Sequence, residues 1–255
     1  MTATESADLT QDEFLGGALR IWQPRAGYRA GVDPVLLAAS IPAKSGDAVL
    51  DLGCGAFVAG LCLARRVPGI DLTGLERHPE YAALADRNAA ENGIAAKVIA
   101  GDLAAMPSPL RDRQFNHVIA NPPYFDRSRG KASDSPLRET ALGEETSLDL
   151  WVKHATKRTR PGGMVTMIQR VDRLPELMAS ARNYLGSLEL LPLLPREGRP
   201  ARLILLRGRP GGRAAFQLYP GLVLHEGAAH LQDREDYSPQ IAQVLRKCGE
   251  LSFSS

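Results

Sequence analysis

Asn121-Pro122-Pro123-Tyr124 sets an amide, two imino acids and a phenol ring within four residues. It follows Phe115-Asn116-His117-Val118-Ile119-Ala120, an apolar run that predicts a buried strand. Neither proline can donate to a strand ladder, and each pushes the residue before it toward extended backbone. The tetrapeptide is therefore a stiff loop at the carboxyl end of a strand, which is where open α/β sheets bind ligands. An amide oxygen near a ring suits a flat base carrying an exocyclic amine. Taken alone, the same residues also read as a Pro-rich turn, so the rest of the chain must decide.

A second stretch with chemical content is Asp51-Leu52-Gly53-Cys54-Gly55, closing a strand at residues 48–52 ahead of a helix expected from Phe57 to Arg66. Glycines between strand and helix let the backbone approach a nucleotide cofactor closely. Glu76 ends a second strand (70–75), where an acid can accept hydrogen bonds from both ribose hydroxyls. Asp102 follows a third strand (97–100) and is placed to meet the amine of a cofactor adenine. Each acid has a plainer reading as a helix cap or a solvated charge. That reading weakens when acids stand at three successive strand ends. Dinucleotides and S-adenosylmethionine both fit this much; the Asn121 loop favours the methyl donor, because hydride transfer needs no such loop.

The elements that must carry these residues alternate. Helices are expected near 79–92, 148–160 and 174–184, and further strands at 115–120, 164–169, 188–194 and 203–207. The rhythm predicts a doubly wound α/β fold whose mostly parallel sheet has an antiparallel edge. Before it, residues 1–13 lack a pattern, and Phe14 to Trp22 suggests a hairpin around Gly16-Gly17. Asp33 can cap a short helix with Pro34 at its first position. The divisions expected are an unstructured 1–13, a hairpin and helix over 14–46, a catalytic core over 47–210 and a C-terminal appendage over 211–255. Residues 125–146 show no period and hold Arg127, Arg129, Lys131 and Arg138, as a functional or a disordered loop would. A terminal helix is expected at 239–247.

Bulk properties bound the function loosely. With 255 residues, 44% hydrophobic and 24% charged, the chain fits one large domain with decorations. A net charge of +2 does not by itself argue for nucleic acid. Three cysteines without zinc spacing and five histidines without ligand spacing argue against a metal and for a reduced compartment. No run approaches the ~18 apolar residues of a membrane span, and no secretory leader is recognisable. A cytoplasmic protein is expected. Basic residues cluster at Arg25 and Arg29, at Lys153, Lys157, Arg158 and Arg160, and at Arg199, Arg202, Arg207, Arg209 and Arg213. They matter for RNA only if they share the face of the Asn121 loop.

Asp51-Leu52-Gly53-Cys54-Gly55, Glu76, Gly101-Asp102 and Asn121-Pro122-Pro123-Tyr124 together resemble the class I S-adenosylmethionine-dependent amino-methyltransferases, with their Rossmann-like fold. Gln23-Pro24, Gly27-Tyr28-Arg29-Ala30-Gly31 and Asp33-Pro34-Val35-Leu36-Leu37-Ala38-Ala39 narrow this. They resemble the bacterial enzymes that methylate N6 of the adenine beside the anticodon of valine tRNA, over about residues 14–208. The resemblance implies tRNA as partner and S-adenosylmethionine as donor, bound by Asp51, Gly53, Gly55, Glu76, Asp102, Leu103 and Asn121, with Arg29 and Asp33 over its methionine end. It implies that Tyr124 stacks on an everted base, while Asn121 and the Pro122 carbonyl accept from its amine and Pro123 stiffens the loop. One departure is Phe57, where such loops commonly carry glycine. A ring there either strains the loop by ~1–3 kcal/mol or projects toward the cofactor, so weakened or altered donor binding is expected. Glutamine N5-methylation of a release factor also uses an Asn-Pro-Pro-Tyr loop. Those enzymes usually have a helical N-terminal domain, and here only about 45 residues precede the first core strand. DNA adenine methylation lacks room for a target-recognition domain. A non-catalytic RNA-binding module on the same fold is the alternative outside enzymology.

Overall fold

A computed structural model describes residues 8–26, 29–126, 143–144, 146–227 and 236–253. Thirteen strands and seven α-helices lie among them. The strands are β1 (Leu9–Phe14), β2 (Leu19–Pro24), β3 (Ala48–Leu52), β4 (Asp71–Glu76), β5 (Ala96–Ala100), β6 (Phe115–Ala120), β7 (Phe125–Asp126) and β8 (Gly143–Glu144). After them come β9 (Thr159–Arg170), β10 (Leu185–Arg196), β11 (Leu203–Pro210), β12 (Gln217–Leu218) and β13 (Leu222–His225). The helices are α1 (Asp33–Ala39), α2 (Val58–Arg66), α3 (Pro79–Glu91), α4 (Ser108–Arg111), α5 (Leu148–Arg158), α6 (Leu174–Tyr184) and α7 (Pro239–Lys247).

Nine strands form one sheet in the order β12-β10-β11-β9-β6-β3-β4-β5, with β13 also on β10. The β3–β6 half and β9 are parallel, and β11 runs antiparallel between β9 and β10. Alternate residues of each strand serve opposite faces. Val49 and Ile119 join the core beneath α1, α2, α3 and α7, whereas Leu50, Val118 and Ala120 join the core beneath α5 and α6. Burial on both faces explains why these strands read as continuous apolar runs. Among the described residues, no helix is long and apolar enough to cross a membrane.

The structure corrects three expectations. Leu9–Phe14 is a strand paired with β2, not part of an unstructured N-terminus. Its polar sequence hides it: Asp12 sits at a hydrogen-bonded site with Gln23 and Arg29 instead of against an apolar core. The β10–β11 pair is not the outer edge, because β12 and β13 add to β10 in parallel. At two and four residues these strands are too short to show a period. The segment past residue 211 is thereby built into the main sheet, and its Leu224, Ile241, Val244 and Phe253 belong to the first core. Third, β9 begins at Thr159, five residues before the expected Met164, and takes in Pro161-Gly162-Gly163. The early start coincides with a register shift opposite Phe115 and His117, and with Gly162 at φ +78°. The arginines and lysine expected in the loop after Phe125, and Gly27-Tyr28, lie outside the described residues.

Candidate active site

Register brings the candidate residues together. Leu52 pairs with both Leu75 and Ala120, and Glu76 pairs with Ala100. Gly53, Glu76, Gly101-Asp102 and Asn121 thus stand side by side at the carboxyl ends of four adjacent strands.

On the donor side, Gly53 and Gly55 have φ of +65° and +53°, a region that favours glycine. Their surroundings differ. A Cβ on Gly53 would meet the Trp151 ring at 2.4 Å, whereas one on Gly55 would meet nothing within 4 Å. Gly53 therefore accommodates a ring packed under the loop, and Gly55 leaves an open cradle. Glu76 is buried, and its Oε2 and Oε1 accept from the Gly55 and His78 N–H groups, both at 2.9 Å. Asp102 Oδ1 accepts from the Ala104 N–H at 2.8 Å, and Leu103 is buried in the second core. Carboxylate oxygens have about two lone pairs each, so both acids keep acceptor capacity.

Asp51 lies beneath the loop. It is buried, and its Oδ2 accepts from the Gly60 N–H at 3.0 Å. That N–H is one of the orphan donors of the first turn of α2, so Asp51 caps the helix from the preceding strand. Burial, with a smaller contribution from Glu76, pushes its pKa up to about 7 against the Gly60 bond. The unfolded carboxyl titrates near 3.9. Between these values the native state holds a proton that the unfolded state has released, so stability falls as pH rises from about 4 to about 7. Asp51→Asn removes this dependence. Its stability relative to the parent chain is expected to improve by up to about 4 kcal/mol between pH 4 and pH 8. Chemical denaturation at both pH values checks this; a pH-independent difference contradicts it.

Phe57 takes the left-handed conformation, φ +71°, at the N-cap of α2. Its ring is fully buried between α2 and β4, where Gly60 and Gly74 provide the space. A Cβ on Gly60 would stand 2.4 Å from it. The ring thus fills core instead of projecting into the cradle, which corrects the second of the two expectations for this residue. The left-handed backbone costs roughly 1–2 kcal/mol; deleting a buried Phe costs roughly 3–5 kcal/mol. Packing wins. Phe57→Gly is expected to lose about 1–4 kcal/mol of stability with donor affinity unchanged. Thermal melts and calorimetric titration with S-adenosylmethionine check this, and tenfold tighter binding would mean that the strain reaches the cradle.

On the acceptor side, the Asn121 Oδ1 is buried, and so is Pro122. Gln169 Nε2 donates to the Pro122 and Pro123 carbonyls at 3.4 Å, and Arg173, held by Glu176 at 2.8 Å, reaches the Pro123 carbonyl at 3.4 Å. The Tyr124 hydroxyl donates to Asp33 Oδ2. Asp33 does not cap α1, whose N-cap is Val32. Burial raises the Asp33 pKa and the Tyr124 bond lowers it. The structure therefore brings Asp33 to the acceptor loop. Arg29 goes elsewhere: its guanidinium binds Asp12 at 2.6 and 2.8 Å and the Pro24 carbonyl at 3.0 Å, on the hairpin.

Sequence reasoning missed two positioning amides, Asn88 and Asn92, and named Gln23 without its role. Asn88 on α3 is fully buried; its Nδ2 donates to the Ala56 carbonyl at 3.0 Å and the Trp22 carbonyl at 3.1 Å, and its Oδ1 accepts from the Trp22 N–H at 2.8 Å. Asn92, one turn on, makes the same pair of bonds with the Arg20 backbone. Two amides at i, i+4 thus act as a strand edge for β2 and tie it to the glycine loop. Gln23 grips the Ala30 N–H at 2.8 Å and so fixes the approach to α1. The only sequence signal was Asn at i, i+4 in an Ala-rich helix. Cys54 and Cys62 are buried free thiols whose pKa burial pushes up, as packing residues would be.

The family model described as methyltransferase small domain matches residues 30–181. A tRNA1(Val) (adenine(37)-N6)-methyltransferase from Porphyromonas gingivalis is 27% identical over 243 residues, covering 91% of this chain and 92% of that protein. A release factor glutamine methyltransferase from Geobacter sulfurreducens is 34% identical over 124 residues, covering 46% of this chain and 43% of that one. The crystal structure of an Agrobacterium tumefaciens protein described as a predicted O-methyltransferase superposes with a TM-score of 0.69 at 26% identity, covering 86% of this chain and 98% of that chain.

Proposed function

The chain belongs to the methyltransferase small domain family, and from that premise we propose that it methylates the exocyclic N6 of an adenine in tRNA, the adenine beside the anticodon of a valine tRNA. The observation that carries the reading is the open cradle at Gly55 beside a stiff amide-and-ring loop at the neighbouring strand ends.

The cradle fits S-adenosylmethionine, since Gly55 leaves the volume that a Cβ would fill and Glu76 and Asp102 keep lone pairs free. When bound there, the donor supplies an electrophilic methyl group. Gly53 and Gly55 present backbone to it, Glu76 takes the ribose hydroxyls, and Asp102 with Leu103 takes the adenine. Asn121 Oδ1 and the Pro122 carbonyl accept from the amine of the target base, drawing its lone pair out of conjugation and aiming it at the methyl. Tyr124 stacks on the base, and Asp33 holds the ring by its hydroxyl. Everting a base costs a few kcal/mol, least for one already in a loop. Orientation supplies much of the rate gain.

Glutamine N5-methylation needs the same loop. The similarity to the release factor enzyme spans 46% of this chain, against 91% for the tRNA enzyme. Incubation with methyl-labelled S-adenosylmethionine, unmodified valine tRNA and a release factor separates the readings. Label in the tRNA is expected. Label confined to the release factor contradicts the proposal, and label in neither favours a non-catalytic RNA-binding module.

A further inference from the structure

The sheet sorts the basic clusters by position. Because β11 runs antiparallel to β9, Arg209 and Arg213 lie with Arg160 at the amino ends of the parallel strands, opposite the Asn121 loop. Arg158 donates to the Leu110 carbonyl, and Arg207 pairs with Glu189 at 2.6 Å while stacking on Phe253. The turn between β10 and β11 is different: it sits at the carboxyl ends. Val171 at the end of β9 donates its N–H to the Arg202 carbonyl at 3.0 Å, and Leu203 pairs with Arg170. From β6, which carries Asn121, to β11 is two strand spacings, roughly 10 Å.

Most arginines on this face are committed. Arg170 pairs with Asp172 at 2.8 Å, Arg173 with Glu176 at 2.8 Å, and Arg196 with Asp236. Arg199 and Arg202 are exposed, and among the described residues neither guanidinium has a partner. Their backbone is nevertheless fixed, since the Arg199 N–H binds the Arg196 carbonyl and the Arg202 N–H binds the Leu193 carbonyl, both at 3.1 Å. The turn holds one opposing charge, Glu197.

Resting on the RNA reading above, we infer that the β10–β11 turn docks the sugar–phosphate backbone of the acceptor RNA, with Arg199 and Arg202 as its phosphate contacts. Two guanidiniums on a turn of fixed backbone, at the same sheet end as the reacting loop and two strands across from it, suit nucleotides flanking an everted base. Contacts to phosphate fix register and orientation without reading sequence. The arginines at the amino ends stand on the wrong side of the sheet to share this task.

The test is anisotropy of labelled valine tRNA across a salt series, with donor affinity by calorimetry and methyl transfer by label, for the parent chain, Arg199→Gln/Arg202→Gln and Arg160→Gln/Arg213→Gln. The first pair is expected to weaken RNA binding about tenfold or more and to flatten the dependence of log K on log salt by about 2, with donor affinity unchanged. The second pair is expected to stay within about twofold of the parent. If the parent methylates the RNA yet the first pair binds with parental affinity and slope, this inference fails and the functional reading stands. Equal weakening by both pairs also overturns it, because any surface charge would then serve. A parent that neither binds nor methylates RNA overturns both.

Discussion

Asn121→Ala is expected to lower kcat for methyl transfer by roughly 10²–10³-fold while donor affinity stays within about twofold. The amine gains positive charge as the new bond forms, so an acceptor fixed on it is worth more in the transition state than in the ground state. Asn121 is suited to that role because Pro122 and Pro123 stiffen the backbone beside it, and Gln169 and Arg173 hold their carbonyls. The resemblance counts Asn121 among the donor's contacts, but the rest of the cradle lies on the neighbouring strands and is left in place when the amide is removed. Single-turnover rates with saturating donor read the effect directly. A variant keeping a third or more of the rate means that the amine is not activated from this position.

Tyr124→Ala is expected to raise KM for the RNA by roughly 5–150-fold, the worth of one base–aromatic stack, whereas Tyr124→Phe is expected to cost only a few-fold. The comparison separates the ring from the hydroxyl. Phe keeps the stacking surface and loses the bond to Asp33. A larger loss in the Phe variant than in the Ala variant would mean that the hydroxyl, not the ring, meets the substrate. Steady-state kinetics with varied tRNA checks both.

How much of this could be read in the sequence depended on the range over which each signal acts. The limits of β6, α6 and α7 agree with expectation: Asn121-Pro122 follows β6, and a proline in the first turn opens α6 and α7. Short elements left no period: α4 has four residues and β12 two. The clustering of Gly53, Glu76, Asp102 and Asn121 was legible because parallel strands put successive carboxyl ends at one end of the sheet. Direction was not legible. Arg29 and Asp33 are four positions apart, yet one side chain turns to the hairpin and the other to Tyr124. Asn88 joins residues 66 and 32 positions away, and the Asn88/Asn92 spacing, the one mark on the helix, does not say which backbone the amides meet. Phe57 stood out in the sequence as a departure, but the place of its ring depends on Gly60 and Gly74, whose missing side chains leave it room.

The central claim is that the Asn121 loop delivers an exocyclic amine. It is tested most directly by digesting tRNA methylated by the purified chain to nucleosides and identifying the labelled product by mass spectrometry. The account predicts N6-methyladenosine from the parent chain and at least a hundredfold less from Asn121→Ala. Label on a ribose 2′-oxygen or a ring nitrogen, or equal yields from the two proteins, would contradict it.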